Sequence, residues 1–243
     1  MLFRSTFLAL VQIDSPSGEE SAIAADLLAR LRLLGCEVWT DPHGNVVGRR
    51  PGRGAGASLP PIILSAHMDT VVPGHGVRPQ VVDGVIRSDG STILGADDKA
   101  GLTAILTALA RTNADGESSR PVELALTVEE ETGLTGAKLM DHDQFVGREA
   151  IVIDSAGPVG AIVGKGPAQD SLTFVVHGKA SHAGVSPEAG VSAIVVAANA
   201  ISRMRLGRID ATTTANLGTI EGGLATNIIP ARVVIRGEAR GIN

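Results

Sequence analysis

Residues 2–12 and 19–34 are rich in apolar side chains interrupted at helical intervals, and they read as two helices. Between them "SPSGEE" supplies turn residues, with Ser17 expected to cap the second helix and Glu20 three places further on. "CEVWTDPHGNVVGRR" has apolar runs on both sides of Pro-His-Gly-Asn, the pattern of a hairpin. "PGRGAGASLPP" reads as a flexible connector.

Three short, largely aliphatic runs follow: "PIILSAH", "VELALTV" and "AIVIDS". Each is suited to a buried strand. "GLTAILTALART", apolar at helical spacing, lies between the first two. The order strand, helix, strand predicts a βαβ unit in a mainly parallel sheet. A second region begins near Gly166. "SLTFVVHGKASHAG" reads as a strand and turn, and "PEAGVSAIVVAANAISRMR" as a helix with Pro187 in its first turn. "TTANLGTIEGG" and "TNIIPARVVIRGEAR" read as two more strands, giving a small α+β unit. An exposed edge is expected at "VVIRGEARG", favouring pairing with another chain.

Composition narrows the classes. The 243 residues are 44% hydrophobic and 19% charged with a formal charge of −5, which argues against a nucleic-acid partner. No run reaches the ~18–20 apolar residues of a membrane span, and the N-terminus lacks the pattern of a signal peptide. Cys36 is the only cysteine, so no internal disulfide can form and a cytoplasmic location fits. With four Phe, one Trp and no Tyr, the core must be aliphatic.

The chemistry sits where the predicted strands stop. "IILSAHMD" delivers His67 and Asp69, "LALTVEEE" delivers Glu129, Glu130 and Glu131, and "IVIDS" delivers Asp154. "LGADDKAG" adds Asp97 and Asp98 ahead of a helix. An acidic triplet alone also suits a solvated helix face. Open α/β sheets, however, bind ligands beyond the carboxyl ends of their strands. If these ends converge, one imidazole faces up to seven carboxylates, and such a cluster calls for divalent cations or bound protons. His67 and Asp69, two apart, can face one site together, with Asp69 on the second imidazole nitrogen. One glutamate of the triplet can bind metal while its neighbour holds a water, the arrangement of metal-assisted hydrolysis.

Taken in order, "SAHMDTV", "LGADDKAG", "LTVEEETGLTGA", "VIDS", "GKASHAG" and "TNIIPAR" resemble the peptidase T-like zinc metallopeptidases. Their wider family includes carboxypeptidase G, aminoacylase and succinyl-diaminopimelate desuccinylase. The resemblance implies an α/β catalytic domain, residues 1–165, and an incomplete α+β lid domain, residues 166–243. It implies two Zn²⁺ per site, with Co²⁺ or Mn²⁺ as alternatives. It makes His67, Asp97 and Asp154 ligands of the first metal, with Asp97 bridging, and Glu131 a ligand of the second. Asp69 would orient His67, and Glu130 would be the general base. His182 and Asn216 would contact substrate. His43, His75, His142 and His177 match no motif and are expected to be structural or at the surface.

Members of that family continue past the point where this sequence stops and supply a late histidine to the second metal, so the chain looks truncated. The expected function is hydrolysis of a peptide bond in a small substrate. The alternatives are deacylase or carboxypeptidase action on an N-acyl amino acid, and a catalytically inactive chain that binds metal or peptide. A homodimer through the lid is the expected assembly.

Overall fold

The computed structural model describes residues 2–114 and 118–242. The chain separates into two compact units, Met1–Ala156 and Gly157–Asn243.

The first unit opens with helices α1 (Leu2–Leu10) and α2 (Ser21–Leu33). The hairpin β1 (Glu37–Thr40) and β2 (Val46–Arg50) and strand β3 (Ile62–His67) follow. A small hairpin, β4 (Pro79–Val82) and β5 (Val85–Ser88), leads to α3 (Ala96–Ala114). Then come β6 (Val122–Thr127), the short α4 (Thr135–Leu139) and β7 (Glu149–Val152). Five strands form one sheet in the order β1-β2-β6-β3-β7. It is mixed: β3 pairs in parallel with β6 and β7, while β1–β2 and β2–β6 are antiparallel. The βαβ unit read from the sequence is β3–α3–β6.

The strand period of two explains the layering. In β6, Val122, Leu124 and Leu126 join Ile23, Leu27 and Leu31 of α2 and Leu102, Ile105 and Leu109 of α3 in the main core. Ala125 packs on the opposite face with Val47 and Met140. Each leucine buried there stabilises the fold by ~1.5–3 kcal/mol. Two charged side chains are buried beside this apolar material because their hydrogen bonds are made within the fold. Glu123 accepts from the amides of Val146 (3.0 Å) and Gly147 (2.8 Å). Arg50 donates to Leu109 O (2.9 Å) and Thr112 Oγ1 (2.8 Å), near the C-terminal end of α3 where a cation is favoured.

The second unit holds β8 (Ala168–His177), α5 (Ala193–Ile201), β9 (Gly207–Arg208), β10 (Thr214–Gly222) and β11 (Arg232–Gly241). Its sheet order is β8-β11-β10-β9, and α5 covers one face through Ala193 and Ala197 against Val233 and Ile235.

Four local expectations are corrected. Ser17 does not cap α2: its hydroxyl donates to Asp69, and α2 starts after Glu20 without a side-chain cap. The connector 51–61 is ordered, with a 3₁₀ turn at Gly54–Ser58 and a bridge from Arg53 to Ser119. Pro187 belongs to a separate turn, Pro187–Ala189, and α5 starts at Ala193, where Ser192 Oγ accepts from Val195 N. The segment "VVIRGEARG" is no edge. It lies in β11, hydrogen-bonded on both sides to β8 and β10, and the free edge is that of β8.

Candidate metal centre

The carboxyl ends of β3, β6 and β7 lie side by side, because all three strands run in parallel in the middle and at one edge of the sheet. His67 is the last residue of β3, and Glu129–Glu131 follow β6 after one valine. Asp154 comes two residues after β7. Asp97 and Asp98 occupy the first turn of α3 with non-helical backbone angles and a cis peptide between them. Gly101 must be glycine: a Cβ there would lie 2.3 Å from Ile153 O and 2.4 Å from the Asp98 carboxylate.

Ligand atoms of His67, Asp97 and Asp154 come within 4.8 Å of one another, and so do those of His67, Glu130 and Glu131. His67 is thus common to both groups. Its Nδ1 lies 3.2 Å from Asp69 Oδ1, and its Nε2 lies 3.1 Å from Asp97 Oδ1. With Nδ1–H donated to Asp69, Nε2 is left for a cation. His67 and Asp69 are buried, Glu130 is half-buried, and Asp97, Glu131 and Asp154 are exposed.

Electrostatics mark the centre as short of positive charge. Burial alone would push the His67 imidazole down, but hydrogen bonds with Asp69 and Asp97 outweigh it and hold the group at about 10. Burial would raise Asp69, yet its bonds from His67, Ser17, Glu130 and Glu131 hold it at about 2. Burial lifts Asp98 to about 7, opposed by the His67 charge and aided by that of Asp154. Glu130, Glu131 and Asp154 are raised as well, by burial first and then by neighbouring carboxylates. One imidazole and several carboxylates that would sooner take up protons are a donor set suited to a divalent cation.

Asp98 donates nothing to either group: its oxygens accept from His67 N (3.3 Å) and Gly101 N (3.0 Å). Glu129 is set apart too, lining a cavity of about 410 Å³ with Gly18, Thr40 and His43. In the second unit His182 is exposed, and its Nδ1 accepts from Gly184 N at 3.1 Å. Asn216 is an exposed residue of β10 opposite Glu238.

Sequence reasoning missed three contributors. Glu20, buried, accepts from Glu129 N (3.0 Å), and buried Asn45 accepts from Val128 N (3.0 Å). Lys99 is also buried and donates to Ile13 O (2.6 Å), while burial lowers its amine to about 8. The usable signal was an acid closing the turn "SPSGEE" and a lysine opening an otherwise apolar helix.

An α/β sheet with such a cluster at its strand ends has the donor set of a divalent-metal site. Comparison with known proteins narrows the class. Residues 45–154 match the model of peptidase family M28, and residues 165–243 match that of the peptidase dimerisation domain. The chain is 43% identical over 242 residues to the uncharacterized protein YqjE of Bacillus subtilis, covering 97% of this chain and 65% of that one. Among solved structures, aminopeptidase PepT of Bacillus cereus superposes with a TM-score of 0.92 at 42% identity, covering 100% of this chain and 66% of that one. A tripeptidase of Staphylococcus aureus superposes at 0.91 with 41% identity, covering 99% and 66%. Over its whole length the chain is similar to peptidase T-like metallopeptidases. It spans about two thirds of the length of these relatives.

Proposed function

We propose that the protein hydrolyses a peptide bond of a small peptide, as an aminopeptidase or tripeptidase of the peptidase T-like type. The observation that carries this reading is the meeting of His67, Asp97 and Asp154 within 4.8 Å beside Glu130 and Glu131. His67, Asp97 and Asp154 would hold one divalent ion, and Glu131 with Asp97 would serve a second. Zn²⁺ is favoured by the family resemblance, and the same donors accept Co²⁺ or Mn²⁺. When bound, such an ion acts as a Lewis acid that activates water and polarises a carbonyl.

The protein's own residues do the rest. Asp69 fixes the orientation of the His67 ring through Nδ1. Glu130, half-buried and raised from its ordinary value by that burial, takes a proton from the attacking water and returns it to the leaving amine. His182 and Asn216 are assigned to substrate binding; with Nδ1 of His182 occupied as an acceptor, its Nε2 is free to donate. We assign the catalytic portion to residues 1–165 and the lid to 166–243, although the compact units divide earlier, after Ala156.

Assembly as a homodimer through the lid has support in the dimerisation-domain match and in two surfaces of the second unit. One is the free edge of β8, and the other is the apolar outer face of α5. Cys36, single and buried, suits a reducing compartment such as the cytoplasm. No helix among the described residues is long and apolar enough to cross a membrane.

The test is Glu130→Gln, assayed on di- and tripeptides with added Zn²⁺, Co²⁺ or Mn²⁺. Metal content should be retained while turnover falls ~10²–10⁴-fold. Asp97→Asn should weaken metal binding more than Glu129→Gln does. Loss of metal in Glu130→Gln but not in Glu131→Gln would reverse the roles of the two glutamates.

A further inference from the structure

The loop that carries Glu130 and Glu131 has an unusual set of backbone partners. Four consecutive amides, those of residues 128–131, are each taken by a side-chain acceptor remote in sequence. Val128 N donates to Asn45 Oδ1 (3.0 Å) and Glu129 N to Glu20 Oε1 (3.0 Å). Glu130 N and Glu131 N donate to the two oxygens of Asp69, at 2.9 and 3.1 Å. Asn45, Glu20 and Asp69 are all buried, so water does not compete for these bonds.

The acceptors are themselves tied down. Ser17 Oγ donates to Asp69 Oδ2 at 2.7 Å, and Gly18 N donates to Glu20 Oε1 at 3.0 Å. Thr70 N donates to Ser15 O at 2.9 Å, which joins the same turn to the residue after Asp69. The turn 15–20 therefore touches the acidic triplet by two routes, one through Asp69 and one directly to Glu129. Glu129 has a left-handed backbone (φ +50°), a conformation disfavoured for glutamate that such bonds must hold. Neither Ser17 nor Glu20 belongs to the two candidate ligand groups.

We propose that Ser17 and Glu20 are positioning residues: through Asp69 and the amide of Glu129, they fix the backbone from which Glu130 and Glu131 reach the metal centre. This rests on the metallopeptidase reading only for its consequence in catalysis; the positioning itself is a property of the metal-free fold. Displacing Glu130 by a fraction of an ångström moves its carboxylate relative to the water it must deprotonate, and rate depends steeply on such placement. Ligand-supporting residues of this kind typically change metal affinity by ~10–100-fold when lost.

The experiment pairs a disruptive and a conservative change at each position. Ser17→Ala and Glu20→Ala remove the donor and the acceptor; Ser17→Thr keeps a hydroxyl, and Glu20→Gln keeps a carbonyl oxygen. Two readouts are taken on each chain: Co²⁺ affinity by titration and residue-resolved amide exchange without metal. The alanine variants should bind Co²⁺ about tenfold more weakly. Exchange should speed up roughly three- to tenfold, the weight of one hydrogen bond. It should do so at Glu130 and Glu131 in Ser17→Ala and at Glu129 in Glu20→Ala, leaving Leu124 in β6 unchanged. The conservative variants should stay within about twofold of the parent.

Wild-type exchange at residues 129–131 in both alanine variants overturns the proposal. So does uniform acceleration across the sheet, which marks mere loss of stability. If the parent itself takes up no Co²⁺, the proposed function fails, and the exchange pattern alone then decides the positioning role. Should Glu20→Ala not fold, Ser17→Ala decides.

Discussion

In the first unit Arg50, Asp98, Lys99 and Glu123 are buried, each with its hydrogen bonds made to protein groups. In the second unit the burial runs the other way. On α5 the small residues Ala193 and Ala197 face the sheet, while Ile194, Val195 and Val196 are 46%, 57% and 44% exposed. In the first unit Asp98 and Lys99 sit in the turn that carries Asp97, while Arg50 and Glu123 tie down the end of α3 and the loop before β7. The second keeps apolar side chains outside, as a surface meant for contact does.

The contrast can be broken most directly in the core. Leu124→Ala, in the central strand at 0% exposure, should cost ~2–5 kcal/mol by urea denaturation. A cost under ~1 kcal/mol would mean that the first unit's packing is looser than described. Arg50→Met should be next, at ~1.5–3 kcal/mol, because it removes the charged hydrogen bonds to Leu109 O and Thr112 Oγ1, which are left bonded only within α3. A neutral outcome would show that the guanidinium is a passive resident.

The third test uses pH on the metal-free protein. Unfolded, the His67 imidazole titrates near 6.5, and folded it titrates at about 10, so the folded state keeps a proton that the unfolded state has lost. Its contribution is full below 6.5 and is lost as pH rises through 10, at no more than about 1.4 kcal/mol per unit. Asp98, at about 7 against 3.8, adds a fall of the same sign at lower pH. Lys99, at about 8 against 10.5, opposes the fall above pH 8. The steepest loss is therefore expected between about 6.5 and 7, where the His67 and Asp98 windows overlap, with a shallower fall up to about 8 that His67→Gln should flatten. A saturating divalent ion should flatten it too. Stability that rises over that window would contradict the description of His67.

The smallest effect should come from α5. Val195→Ser lies on an exposed face and should change unfolding free energy by less than ~0.5 kcal/mol. Sedimentation should nevertheless detect weaker self-association if two copies meet on that face. A large loss of stability with unchanged association would place Val195 in a core, against its exposure.

Much of the site was legible because strands deliver side chains at fixed places. His67, Glu130 and Asp154 stand at or just beyond the ends of β3, β6 and β7, and a strand end is easy to read from an aliphatic run. Asp97 was legible from its place before an apolar helix. The supporting turn was misread for a physical reason: Ser17 and Glu20 have the spacing of a helix cap, and nothing local shows that both side chains bond to segments over 50 and 100 residues away. The same limit applies to β11. Its sequence looks the same as an edge or as an inner strand, and only long-range pairing with β8 makes it inner. The hairpin β4–β5 escaped because its residues 79–88 mix apolar and polar side chains around a short turn, with no fully buried position.

Strand β6 is paired along its length to β2 on one side and β3 on the other, from Val122 to Leu126 and to Thr127. It therefore works as a ruler. Adding or removing one residue between Glu123 and Glu130 would force both ladders to shift together or break. Leu124 and Leu126 would exchange faces with Ala125, and the amides that Asp69 receives would move by about 3.3 Å, the rise of one residue. Chain length should accordingly vary freely around the β4–β5 hairpin in related sequences and stay invariant from Val122 to Glu131. An alignment with single-residue gaps inside β6 would contradict this measure.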